Sequence, residues 1–149
     1  MKKYIGTKML QAKPMNRGEY NTYRGWNIPE NENPSDEGYL VKYQDDYESW
    51  SPKVVFEEAY KDCDAMTFGI AVELMKKGCK VARKGWNGKK QYIELATNVS
   101  YMNPDGKVEN VNHSDMGNKA IAFVGTSGIQ LGWLASQADM LSEDWVLVD

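Results

Sequence analysis

The chain is short of the residues that most often carry chemistry. Its 149 residues include one histidine, His113, and two cysteines, Cys63 and Cys79. The cysteines form no CxxC and have no histidine near them in sequence, so no zinc site is expected. Free thiols in a reducing compartment are the default reading. No apolar run approaches the roughly 20 residues of a membrane helix. Lys2 and Lys3 are followed by no hydrophobic segment of the signal-peptide kind. A soluble, intracellular protein is expected, with no metal, no cofactor and no membrane partner. The formal net charge of −3 argues against nucleic-acid binding, which draws on bulk positive charge. A Walker glycine loop and a dinucleotide fingerprint are both missing. His113 stands beside Ser114 and Asp115, but triads converge through a fold and rarely along a chain. It reads as an ordinary loop histidine, and Glu143 and Asp144 read as exposed or helix-end groups.

Aromatic residues are plentiful, with nine tyrosines and five tryptophans, and 42% of the residues are hydrophobic. Such rings suit an interface, a stacked ligand or simply a small core. The length allows one domain or two very small ones.

Residues 66–95 form the organising stretch. Phe68, Ala71, Val72 and Met75, with Ile70 and Leu74 alongside, have the three-and-four spacing of a helix with one buried stripe. Thr67 can cap its start. Gly78 can end it in the left-handed conformation, with Lys76 and Lys77 at the negative end of the dipole. A strand over 80–83, a turn over 83–90 and a returning strand over 91–95 follow. Upstream, residues 4–12 alternate enough for a strand ending at Pro14. Asn16 and Glu19 form a capping box for a helix over 16–23. Residues 38–43 and 47–50 read as a hairpin. Ser51 then caps a helix with Pro52 at its first position, running to about Lys61 and offering Val54, Val55, Ala59 and Tyr60 to a core. Residues 62–64 are a candidate linker.

Downstream, Asn103-Pro104-Asp105-Gly106 is a turn signal before a short strand over 108–112. Residues 120–124 and 129–133 flank a Gly125 to Gly128 hairpin turn. Ser136 caps one helical turn, and 145–148 closes as a strand. The fold class is α+β: a small N-terminal α/β module over 1–62, then a helix packed on a mainly antiparallel sheet over 65–149.

Between Lys76 and Lys90 every charged residue is basic, in a mildly acidic chain. One explanation is a solvated face. The other uses Trp86 between Gly85 and Gly88. A flat ring among backbone N–H groups and cations suits a nucleotide, with its base stacked and its phosphates paired. In a second stretch Trp133 could cover a base or ribose, while Ser136, Gln137 and Asp139 could bond to hydroxyls. Alternatively Trp133 is a core ring, which is the favoured reading for Trp145. Arg24 and Trp26 either contact a second ligand or are a packed ring beside an exposed cation.

The motifs VARKGWNGK and WLASQADMLSEDWVLV together resemble the phage-encoded Thoeris anti-defence family, second type. The resemblance covers residues 66–149. The upstream segment, from KYIGTKMLQAKPM to SWSPKVVFEEAYK, looks like a phage module sometimes fused ahead of that domain. Members are implied to be sponges in the cytoplasm of the infected host. They bind glycocyclic ADP-ribose signals made by bacterial TIR enzymes without degrading them, and some also hold CBASS cyclic dinucleotides at a separate site. They are implied to be homotetramers with pockets between subunits. The implied ligand-binding positions are Phe68, Arg83, Trp86, Asn87, Trp133, Ser136, Gln137, Asp139 and Met140. Beside these, Arg83, Lys84 and Lys89 are candidates to pair with phosphates, and Asn87 and Asp139 to take ribose hydroxyls. The segment between Leu95 and Ala120 is shorter than the family's usual insertion. No catalytic residue is expected; the alternatives are a nucleotide-signal hydrolase or a phage protein-interaction module.

Overall fold

The computed structural model describes residues 1–86 and 90–149. Asn87 and Lys89, two of the candidate site residues, lie outside the described residues. The chain divides into two compact units, Met1–Lys61 and Asp62–Asp149.

In the first unit a three-stranded antiparallel sheet runs β1 (Gln11–Pro14), β2 (Gly38–Lys42) and β3 (Glu48–Pro52), with β2 central. The strand expected over 4–12 starts only at Gln11. β2 ends at Lys42, opposite Gln11, so the residues before Gln11 have no ladder partner there. Helix α1 (Arg17–Tyr23) begins with the expected box: Asn16 Oδ1 accepts the Glu19 N–H at 2.8 Å, and the Glu19 carboxylate accepts the Asn16 N–H at 2.9 Å. Tyr20 of α1 and Leu40 and Val41 of β2 are buried apolar residues of this unit. Gly38 is required by packing, because a Cβ there would lie 2.3 Å from the Trp50 ring.

Helix α2 (Lys53–Ala59) corrects two expectations. Ser51 and Pro52 belong to β3, and Pro52 is the N-cap, with no side-chain bond. Val54 and Val55 are exposed, at 78% and 58%, and Ala59 is exposed too. The later start turns a different face inward. Phe56 and Tyr60, four residues apart and so on one side of the helix, stack on each other at 5.0 Å, and Phe56 stacks on Tyr39 at 4.2 Å.

In the second unit helix α3 (Phe68–Lys76) is capped by Thr67, whose Oγ1 accepts the Ile70 N–H. It stops in a Schellman motif: Gly78 N–H donates to the Met75 carbonyl and Cys79 N–H to the Leu74 carbonyl, both at 3.0 Å, with Gly78 at φ +92°. Ala71, Leu74 and Met75 are buried. The main sheet contains β4 (Lys80–Arg83), β5 (Tyr92–Ala96), β8 (Ala120–Gly125), β9 (Gly128–Leu131) and β10 (Trp145–Val148), in the order β10-β4-β5-β8-β9, antiparallel throughout. β6 (Ser100–Met102) and β7 (Val108–Asn110) make a separate exposed hairpin around the Asn103 to Gly106 turn. Helix α4 (Gln137–Leu141) precedes β10. The class is α+β, as the sequence indicates.

The register aligns Leu147, Val81, Ile93, Phe123 and Gln130 in one row across all five strands. Directly opposed residues share a face, and so do residues two apart. Trp145, Arg83, Gln91, Gly125 and Gly128 therefore lie on that same face. Phe68 of α3 meets the Trp145 ring at 5.3 Å, and α3 packs against β4, β5 and β10. Val81 and Ile93 on that side are fully buried. Phe123 is half-buried and Gln130 exposed, so cover thins toward β8 and β9.

Among the described residues no helix is long and apolar enough to cross a membrane. No group of three or more His, Cys, Asp or Glu is placed to hold a metal.

Candidate functional site

Three indoles meet on this side of the sheet. Trp145 is fully buried, and its Nε1 donates to the Asp139 carbonyl at 2.8 Å. It is the core ring the sequence suggested. Trp86 and Trp133 stand edge-on to it, at 5.4 and 6.2 Å, and edge-on to each other at 5.9 Å. Phe123 meets Trp86 at 5.4 Å. Edge-to-face packing matches the positive ring edge to the negative ring face. Trp86 and Trp133 are half-buried and line an open cleft of about 220 Å³. Gly85, Gln91, Phe123 and Asp139 complete its lining.

Beside the cleft, Arg83 binds two carboxylates. Nε and Nη2 donate to Asp144 at 3.0 and 3.3 Å, and Nη1 donates to Asp139 at 3.0 Å. These bonds, Asp144 first, push the Arg83 pKa upward. The other Asp139 oxygen accepts the Ser136 N–H at 2.9 Å, and Ser136 Oγ accepts the Asp139 N–H at 3.1 Å. That reciprocal box starts α4. Burial works against the Asp139 charge, but the bonds to Ser136 and Arg83 prevail and hold its carboxyl below the usual range. Asp139 is therefore an ionised hub that ties β4, the start of α4 and the buried tryptophan together.

A family model described as Tad2-like, the Thoeris anti-defense 2-like domain, matches residues 66–148. The chain belongs to that family. The Thoeris anti-defense 2 protein of Bacillus phage SP01 is 37% identical over 86 residues, covering 56% of this chain and 94% of that relative. Membership supports a phage anti-defence role. The match falls inside the second unit and leaves the first unit outside it.

Within the Tad2-like domain, Trp86, Trp133 and Asp139 converge on the cleft. Phe68 lies against the buried Trp145. Arg83, the expected phosphate partner, has three of its N–H contacts committed to carboxylates. Asp139, the expected ribose partner, has each of its oxygens already engaged. Ser136 serves as the N-cap, while Gln137 and Met140 are exposed on α4 and Lys84 is exposed after β4. Phe123, Gln91 and Asp144 were missed. No local motif marks them, since their neighbours come from other strands. His113 accepts the Asp115 N–H through Nδ1 at 3.1 Å, in a tight exposed turn. Cys63 and Cys79 are free, and burial pushes the Cys63 thiol up.

In the first unit the Arg24 guanidinium lies 5.0 Å over the Trp26 ring, whose edge-to-face partner is the buried Tyr20 at 5.8 Å.

Proposed function

We propose that the Tad2-like domain binds a cyclic nucleotide immune signal of the glycocyclic ADP-ribose type and holds it intact, as a sponge in the infected bacterial cell. The observation that carries this reading is the pair of indoles, Trp86 and Trp133, lining an open cleft, with Trp86 inside a basic stretch of sequence. A base stacked on such a ring contributes about 1–3 kcal/mol. Sequestration at nanomolar signal needs about −12 kcal/mol, so one stack is far from enough. That shortfall favours a site completed by another copy of the chain, as in a homotetramer. Leu134, Met140 and Leu141 are exposed next to Trp133 and Asp139 in sequence and supply apolar surface for that contact.

Asp139 supports holding over cutting. Among the described lining residues it alone is titratable, and a carboxyl held ionised by an arginine and a helix cap carries no proton to give a leaving group near neutral pH. The Arg24–Trp26 stack reads as self-satisfied, since its own cation covers one face of the ring.

The test is calorimetry of the full chain with glycocyclic ADP-ribose and a panel of cyclic dinucleotides, followed by heat denaturation and recovery of the ligand. Intact ligand after tight binding supports the sponge. A converted ligand overturns it in favour of a hydrolase.

A further inference from the structure

A second cleft of about 350 Å³ adjoins the first and shares Gln91 and Phe123 with it. Its lining differs in kind. The β8–β9 turn supplies Thr126 and Ser127, and β9 supplies Gln130. No lining residue among those described carries a charge. Gly125 and Gly128 face each other across the ladder. The Phe123 ring covers Gly125, where a Cβ would lie 2.6 Å from that ring and 3.4 Å from Gln91 Oε1, while a Cβ at Gly128 would meet nothing within 4 Å. Gln91 joins the two clefts. Its Nε2 donates to the Trp86 carbonyl at 3.4 Å, which leaves Oε1 on the Gly125 side as an acceptor.

We propose that this second cleft is a subsite for an uncharged, hydroxyl-bearing sugar of the same nucleotide whose base stands in the tryptophan cleft. The inference rests on the nucleotide-sponge reading and extends it. A phosphate placed here would meet no cation on the described lining, and burying a charge without a partner is costly. A ribose needs what the cleft offers: hydroxyls and amides that both donate and accept, a ring edge or face at Phe123, and open backbone at Gly128 that lets a sugar come close. Gln91 and Phe123 then sit at the junction of base and sugar. Hydroxyl-reading sites discriminate strongly, because an unmatched sugar leaves polar groups without partners. The β8–β9 turn is thereby the specificity-determining part of the domain.

The test uses the full chain and two probes, glycocyclic ADP-ribose by calorimetry and free adenine by tryptophan fluorescence. Thr126→Val with Ser127→Ala, and separately Gln130→Ala, should each weaken glycocyclic ADP-ribose about tenfold, the scale of one lost hydrogen bond, and leave adenine unchanged. Trp133→Ala should weaken both probes. Thr126, Ser127 and Gln130 are exposed, so thermal midpoints should match the parent; if the double variant melts early, Gln130→Ala decides. Turn variants that bind the signal as tightly as the parent, while Trp133→Ala does not, overturn the sugar subsite and leave the sponge reading standing. A parent chain that binds no signal removes both.

Discussion

The two units use the same residue types in opposite ways. In Met1–Lys61 each tryptophan is paired with its own cation: Arg24 lies 5.0 Å over Trp26, and Arg17 lies 4.9 Å over Trp50. Arg17 is further held by Glu32, which also accepts from the buried Asn21. In Asp62–Asp149 the rings Trp86, Trp133 and Trp145 brace one another, and the nearby arginine is drawn aside by Asp139 and Asp144. A ring covered by an arginine has spent its face, as a cation–π contact occupies the surface a base would need. Trp86 and Trp133 are braced by other aromatic rings instead, and both line the cleft. The presence of tryptophan beside basic residues is common to both units. The difference lies in where the cation is held.

The comparison breaks most severely at Trp145. Trp145→Ala removes a fully buried ring and should cost about 3–5 kcal/mol, seen in urea denaturation, with loss of its contacts to Trp86 and Trp133. Next, Trp133→Ala should cost about 1–3 kcal/mol of signal binding by calorimetry, whereas Trp26→Ala should leave binding unchanged. Equal losses from the two variants would erase the distinction between covered and cleft-lining rings.

A third probe is acid. Asp139 has a folded pKa below its unfolded value. Its stabilising contribution is therefore complete above the unfolded value, about 3.9, and fades as pH falls through the lower folded value. Asp139→Asn should be less stable than the parent near neutral pH, by about 1–2 kcal/mol from the lost cap and charge-assisted bond. The gap should narrow as the pH falls below the unfolded value, about 3.9, followed by urea titration across that range. The smallest effect belongs to Asn16→Ala, which removes the α1 box and should cost about 1 kcal/mol while leaving signal binding intact.

Local physics made much of this chain legible without coordinates. The caps at Asn16, Thr67 and Ser136, the stop at Gly78 and the turn glycines act within a few residues, so sequence spacing alone determined them. The same holds for the pairing of 120–124 with the strand after Gly128. Where local logic misled, a partner decided the outcome. β1 is limited by the length of β2, and α2 starts after Pro52 because Ser51 and Pro52 pair with Tyr39 and Gly38.

The cleft depended on tertiary structure in a stronger sense. Sequence marked Trp86 and Trp133, but Gln91, Phe123 and Asp144 join them only because β10 returns beside β4 and β8 beside β5. Strand order is set by which apolar faces bury together, and nothing at a fixed spacing encodes it. The partnering of Arg83 was equally hidden, since its carboxylates lie 56 and 61 residues away in sequence. Residue type told which side chains could grip an anion or a base; only the fold decided which charges were already taken and which rings came to line a cleft.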